Sequence, residues 1–157
     1  MGFLHSLRRL ALKSILRAAL NLEEEIYGLL EALPAELDGL ELPVSLRRII
    51  AEEKEHRRLL EALIAGRLPE EEIERLLAGQ GPHVHDPQAL EPLAAGPHKG
   101  LVQPLRRILV QEEKVYRFFD SLRGKSRLPF VRKAFRFLAE QEQTHVLMLR
   151  RLLGEPG

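Results

Sequence analysis

The chain contains no cysteine among its 157 residues. Disulfide bonds, thiol catalysis, iron–sulfur clusters and cysteine-ligated rubredoxin-type iron sites are therefore excluded. An excess of charge of one sign is also missing, because 24 Lys and Arg nearly cancel 23 Asp and Glu to leave a formal net charge of +1. Without an overall basic field we expect no nucleic-acid partner.

Long uncharged apolar runs are absent as well, since no stretch approaches the 18 residues that a membrane-spanning helix needs. The N-terminal segment has a basic face formed by Arg8, Arg9, Lys13 and Arg17, which leaves a membrane-surface helix as an alternative. Its apolar residues continue without a break into the next helical pattern, so the first turns of a core helix are favoured. We expect a soluble cytoplasmic protein without stable membrane insertion.

What the sequence does contain is a helical pattern of apolar residues in a chain that is 45% hydrophobic and 30% charged. It predicts a single domain, residues 1–157, with four helices. Two form a hairpin over 4–66, in which the first helix ends before Pro34 and Ser45 caps the second. The other two form a hairpin over 101–153, with helices starting near Pro104 and Pro129. No alternating strand pattern is present.

The segment 67–100 joins the two hairpins and is rich in Pro and Gly. Its sequence PEEEIERLLAG predicts one short helix within a long crossover connection. His83 and His85 lie in this crossover, where a Pro-flanked polar loop is favoured over a small exposed metal site. The fold class expected from these patterns is all-α, a four-helix bundle of two helical hairpins joined by a long crossover.

One four-residue constellation occurs twice in the chain at a constant offset of 89 positions. The equivalent pairs are Glu23 and Glu112, Tyr27 and Tyr116, Glu53 and Glu142, and His56 and His145. The neighbouring apolar residues keep the same register without a gap. Each hairpin therefore supplies one carboxylate on its first helix and a Glu-x-x-His pair on its second, the ligand set of a two-metal site in a helical bundle.

These Glu and His residues lie within the apolar stripes of their helices, and this position supports their assignment as metal ligands. Glu53 and His56 interrupt an apolar stripe between Ile49 and Leu60, where a helix would otherwise present two more core residues. Glu24 and Glu113 are less centred on their stripes and are expected to point outward. Burying an unpaired ionised carboxylate costs several kcal/mol. Two divalent cations would supply four positive charges to the four carboxylates, whereas metal-free buried Glu–His or Glu–Arg pairs leave the duplication unexplained.

The predicted metal ligands are therefore Glu23, Glu53, His56, Glu112, Glu142 and His145. Oxygen and nitrogen donors of this kind suit iron or manganese, with zinc as another occupant.

The stretches ALNLEEE and IIAEEKEHRRLLEAL, with the ligand pattern around them, resemble the rubrerythrin and wider ferritin-like family of di-iron carboxylate proteins. The resemblance covers both hairpins but not the crossover. It implies a ferritin-like fold with two iron ions, terminal ligands Glu23 and Glu112, and bridging ligands Glu53 and Glu142. It implies one imidazole ligand for each metal. It also implies reaction with hydrogen peroxide or dioxygen, an external electron donor protein, and a homodimer or higher homo-oligomer.

The chain departs from the family pattern at several positions. The absence of Cys excludes a rubredoxin-like domain, so electrons must come from a separate carrier. Val115 stands where rubrerythrins often have an extra carboxylate. Tyr27 and Tyr116 follow the ligand Glu by four residues, whereas the family's usual aromatic follows by seven. Core tyrosines with a satisfied hydroxyl are favoured over hydrogen-bonding partners near the metals or an electron relay.

A rubrerythrin-like peroxide reductase or ferroxidase is the function expected first. A di-iron hydroxylase of a quinone-type substrate is an alternative enzyme, for which the basic N-terminal helix would serve as an anchor. A non-catalytic iron-binding or iron-handling protein is the alternative without turnover.

Overall fold

The computed structural model describes residues 2–66 and 92–156, together with residues 71, 74, 75 and 78 between them. Most of the described chain is helical, and the predicted all-α class is confirmed. The four long helices are α1 (Gly2–Glu31), α2 (Val44–Ala65), α3 (Val102–Leu122) and α4 (Pro129–Leu152).

Local residues explain where the first helix ends and where the second begins and ends. Helix α1 stops at Glu31, before Pro34, and α2 is closed by Gly66, whose φ of 60° is the left-handed conformation that favours glycine. The predicted N-cap at Ser45 was wrong, because α2 begins one residue earlier at Val44. The extended Pro43 precedes the helix, and its carbonyl oxygen accepts the first backbone hydrogen bonds of the helix.

The turn between α1 and α2 holds a small β-hairpin that the sequence did not predict. Strand β1 (Glu36–Leu37) pairs antiparallel with β2 (Leu40–Glu41) around Asp38 and Gly39, both at positive φ. An Asp-Gly turn suits this geometry, and two-residue strands are too short to show an alternating pattern. The hairpin is tied to the second half of the chain, since His98 Nε2 lies 2.8 Å from the carbonyl oxygen of Glu41.

The connection from α2 to α3 is described only in part. The predicted short helix lies mostly outside the described residues, although residues 71, 74, 75 and 78 are helical, and His83 and His85 lie outside them. The chain then enters α3 through two 3-10 turns, Leu93–Ala95 and Lys99–Leu101. Helix α3 begins at Val102 rather than at Pro104, because a proline in the first turn of a helix removes no intrahelical hydrogen bond.

The four helices share one hydrophobic core. Helix α1 packs along α2 and also against α3, and α3 packs along α4. Each helix contributes the apolar stripe expected from its spacing, with residues such as Ile26, Leu60, Ile108 and Leu149 almost completely buried. The charged positions predicted as metal ligands fall in the middle of these stripes.

Among the described residues, none of the helices is both long enough and apolar enough to cross a membrane.

Candidate metal centre

The structure brings all six predicted ligands together in the interior of the protein. One carboxylate comes from α1, one from α3, and a Glu–His pair three residues apart comes from each of α2 and α4. Spacing of three residues places both members of a pair on one face of a helix. All six residues are buried, with at most 1% of their surface exposed: Glu23, Glu53, His56, Glu112, Glu142 and His145.

The six residues form two overlapping groups, each with one donor atom from every member within 4.8 Å of the others. One group contains Glu23, Glu53, His56 and Glu142, and the other contains Glu53, Glu112, Glu142 and His145. Glu53 and Glu142 belong to both groups. A carboxylate has two oxygens, so each of these residues could contact two ions at once.

The two imidazoles direct the same ring nitrogen into the cluster. His56 Nδ1 lies 2.8 Å from Glu142 Oε1 and 3.9 Å from Glu23 Oε1. The equivalent His145 Nδ1 lies 2.7 Å from Glu53 Oε1 and 3.7 Å from Glu112 Oε1. The rings stack with centroids 5.6 Å apart. Equivalent residues of the two halves thus make nearly equivalent contacts, and the shorter contact in each case joins a histidine to a carboxylate of the other half.

Electrostatics separate the four carboxyl groups into two classes. Burial raises the pKa of Glu23 well above its usual value, and the negative charges of Glu142 and Glu53 raise it further. Burial likewise raises the pKa of Glu112, with the charges of Glu53 and Glu142 acting in the same direction. In the ionised form neither residue has a hydrogen-bond donor for its buried oxygens within the described part of the chain. Once protonated, Glu23 can donate to Glu53, and Glu112 can donate to Glu142.

The central carboxylates behave in the opposite way. Burial alone would raise the pKa of Glu53 and Glu142, but hydrogen bonds from the outer carboxyl groups and from His145, together with the charge of His56, lower the pKa of both. Burial alone would lower the pKa of His56, yet Glu53 and Glu142 raise it to about 9. The pKa of His145 is also raised, against the effect of burial, by hydrogen bonds to Glu142, Glu52 and Glu53.

These shifts all reduce unbalanced charge in the interior. The raised pKa values of Glu23 and Glu112 favour their neutral forms, while the two imidazoles favour the ionised forms of Glu53 and Glu142. Two divalent cations would supply four positive charges to the four carboxylates. Metal binding at a site of this kind releases protons and becomes tighter as the pH rises.

The residues fit a pair of hard divalent cations. Six buried carboxylate oxygens have no hydrogen-bond donor among the described residues: both oxygens of Glu23, both of Glu112, and Oε2 of Glu53 and Glu142. Unsatisfied oxygens of this kind are costly in a protein interior unless a proton or a metal satisfies them. Carboxylate and imidazole donors without thiolates suit iron and manganese. The buried clusters could therefore hold metal ions.

The two tyrosines lie outside both groups. Tyr27 is half-buried with the guanidinium of Arg57 located 4.5 Å from the centre of its ring. Hydrogen bonding to Glu31 raises the pKa of the Tyr27 hydroxyl, which places this hydroxyl toward the next turn of α1. Tyr116 is half-buried and packs against the hydrophobic core. For Tyr27 these contacts favour the interpretation of a satisfied hydroxyl.

The structure adds one residue that sequence reasoning missed. Glu52 Oε2 lies 2.7 Å from His145 Nε2, and Glu52 Oε1 lies 3.4 Å from Arg48 Nε. Glu24 and Glu113 were expected to point outward; Glu24 is exposed, and Glu113 is paired at 2.6 Å with Arg150. The duplication gave no signal for Glu52, because the equivalent position in the second half is the neutral Gln141.

No protein-family model matches the chain, and neither curated proteins nor solved structures include a significant match to it. The resemblance to rubrerythrins therefore rests on the residues of the two hairpins alone.

Proposed function

We propose that this protein is a ferritin-like di-iron carboxylate protein of the rubrerythrin type, which reduces hydrogen peroxide or reacts with dioxygen. The observation that supports it most is the sharing of Glu53 and Glu142 between the two buried groups. Two separate metal sites would not need common ligands, whereas a pair of adjacent ions does. Crossed contacts between each histidine and the opposite half of the chain support the same arrangement.

In this proposal the residues divide into three roles. Glu53 and Glu142 would hold both ions, Glu23 and Glu112 would each hold one ion, and His56 and His145 would each complete one ligand set. Two iron(II) ions held in this way would supply two electrons, enough to convert one hydrogen peroxide and two protons into two water molecules. The two electrons for each turnover would come from a separate carrier protein, because the chain has no cysteine for a rubredoxin-type iron site.

The chain itself contributes charge balance and exclusion of water. The lowered pKa values of Glu53 and Glu142 favour the ionised forms that cations need. The raised pKa values of Glu23 and Glu112 favour protonated forms, so binding cations would displace protons there. Buried apolar side chains one turn away, such as Ile49, Leu60 and Leu138, keep bulk water from the cluster. Fixed charges act more strongly in such an environment than in water.

The deciding experiment is anaerobic titration of the metal-free protein with iron(II), followed by peroxide or by oxygen. We expect two iron ions per chain, and we expect one equivalent of hydrogen peroxide to oxidise both. The absorption spectrum of the protein would monitor this oxidation. Faster oxidation by peroxide than by oxygen supports the peroxide reductase. Faster oxidation by oxygen supports a ferroxidase. A Glu142→Ala variant is the control and should show neither the stoichiometry nor the reaction.

A non-catalytic iron-handling protein is the second candidate, and the raised pKa values of Glu23 and Glu112 favour it. Carboxyl groups that take up protons as a metal leaves reduce the bare charge left in the interior, as reversible iron handling requires. Tight binding of two iron(II) ions without oxidation by either oxidant would select this function and refute the redox proposal.

A further inference from the structure

The six ligands repeat closely between the halves, but the surroundings of the two imidazoles do not. His145 Nε2 is 2.7 Å from the carboxylate of Glu52, whose side chain is 11% exposed. The equivalent atom, His56 Nε2, is buried and has no hydrogen-bond partner among the described residues. One histidine is therefore held at both ring nitrogens and the other at one.

The sequence accounts for this difference position by position. Glu52 corresponds to Gln141 at the offset of 89, so the carboxylate is replaced by a neutral amide. Arg48, which pairs with Glu52, corresponds to Phe137. The Phe137 ring meets the His56 ring at an interplanar angle of 85° and a centroid distance of 6.2 Å. A charged pair thus supports one imidazole, and an aromatic edge contact adjoins the other.

A hydrogen bond from the non-ligating nitrogen to a carboxylate has two consequences for a metal-binding histidine. It fixes the tautomer and the ring orientation, and it makes the ligating nitrogen a better electron donor. Removing such a partner commonly weakens metal binding about 10- to 100-fold. When Nδ1 faces a metal, Nε2 carries the proton, and in His145 that proton points to Glu52.

We propose that Glu52 is a positioning residue that makes the two metal positions unequal. The position formed by Glu53, Glu112, Glu142 and His145 fills first and binds its ion more tightly. The position that includes Glu23 and His56 fills second. This inference rests on the proposed two-metal centre and concerns the order in which the centre is loaded.

Calorimetric titration of the metal-free protein with manganese(II) tests the proposal without any turnover. We expect two binding steps whose affinities differ about tenfold or more. Glu52→Gln should keep two ions per chain and weaken the tighter step about 10- to 100-fold, which brings the steps together. The reciprocal Gln141→Glu should tighten the weaker step. Glu61→Gln, the same charge change at an exposed position of α2, is the control and should leave both steps unchanged.

Single-site backgrounds separate positioning from a general disturbance of α2. Glu23→Ala retains the group around His145, and Glu112→Ala retains the group around His56. Glu52→Gln should weaken manganese binding in the first background and not in the second. Equal weakening in both backgrounds, or no weakening in either, overturns the role of Glu52. If the unmodified protein binds no ions, the metal centre itself is refuted, which is a result distinct from failure of the Glu52 variants.

Discussion

The two hairpin halves carry the same candidate metal ligands, but the residues that surround these ligands differ between the halves. At the offset of 89, Leu30 and Leu46 of the first half correspond to Phe119 and Phe135 of the second, and all four are buried. The two phenylalanine rings contact each other with centroids 6.2 Å apart, so aromatic packing supports the second half where aliphatic packing supports the first. Repetition of the six candidate ligands is what a pair of ions with the same donors would require, whereas packing needs only filled volume.

The outer faces of the halves differ more strongly. Arg57 lies over the Tyr27 ring in the first half, and the equivalent residue in the second is the buried Val146. Arg150 pairs with Glu113 in the second half, and the equivalent positions in the first are two acids, Glu24 and Glu61. Side chains that do not meet the shared cluster are thus free to take different partners.

The largest expected effect comes from removing a shared ligand. Glu53→Ala and Glu142→Ala should each abolish two-metal binding, because each residue belongs to both groups. Metal analysis after loading with excess manganese(II) would measure the stoichiometry. Glu23→Ala and Glu112→Ala, which each affect one group, should retain one ion. Two ions per chain in the Glu53 or Glu142 variant would contradict the assignment.

Truncation of equivalent core leucines should show whether the halves are equally well packed. Leu60 and Leu149 are both fully buried. Leu60→Ala and Leu149→Ala should each lower the free energy of unfolding by about 2–5 kcal/mol, through lost burial and the cavity that remains. Chemical denaturation of both variants would measure the two values. An effect below about 1 kcal/mol at one position would show that its half relaxes around the cavity.

The pH dependence of stability should distinguish the metal-free from the metal-loaded cluster. The raised pKa of His56, about 9, means that the folded state binds this proton more tightly than the unfolded chain. Its stabilisation is complete below about pH 6.5 and is lost as the pH rises through 9. The raised pKa values of His145, Glu23 and Glu112 act in the same direction. Glu53 and Glu142, with lowered pKa values, contribute no change in this range.

We therefore expect the Tm of the metal-free protein to fall by several degrees between pH 6.5 and pH 9. The manganese-loaded protein should lose less stability over the same range, because its ions have displaced the protons and bind more tightly at higher pH. Thermal unfolding followed by circular dichroism in both forms would measure this. Parallel profiles for the two forms would contradict the proton balance of the cluster.

The smallest expected effect concerns the ion pair that only the second half has. Arg150→Met should cost about 0.5–1 kcal/mol, because the Arg150–Glu113 pair is short at 2.6 Å but remains partly exposed to solvent. Glu61→Arg puts a cation at the position of the first half that is equivalent to Arg150, and it should change stability by a few tenths of a kcal/mol at most. Denaturation at low and high salt would measure both. A cost for Arg150→Met that does not fall at high salt would indicate lost packing instead of lost charge.

Much of the fold and of the candidate site could be predicted from the sequence, because both depend on periodic spacing. The apolar stripes predicted the four helices, and the interruptions by Glu23, Glu53, Glu112 and Glu142 predicted which acids are buried. Helix ends were less predictable. Helix α2 begins directly after Pro43, one residue before the predicted cap Ser45. The two-residue strands are too short to show an alternating pattern of apolar and polar residues.

Other features depended on contacts between distant parts of the chain. The contact of Glu52 with His145 joins α2 to α4 across 93 positions, and no local spacing reports it. The protonation pattern depends on which carboxyl groups face each other in a common low-dielectric interior, so it exists only in the folded protein. The sequence by itself determined the helices, their buried faces and the six candidate ligands, because helical periodicity is a local property. Glu53 and Glu142 were implied as bridging ligands by the family resemblance, and the tertiary structure places them in both groups. Tertiary structure alone decided that the two histidines have unequal partners, because those contacts depend on how four helices meet.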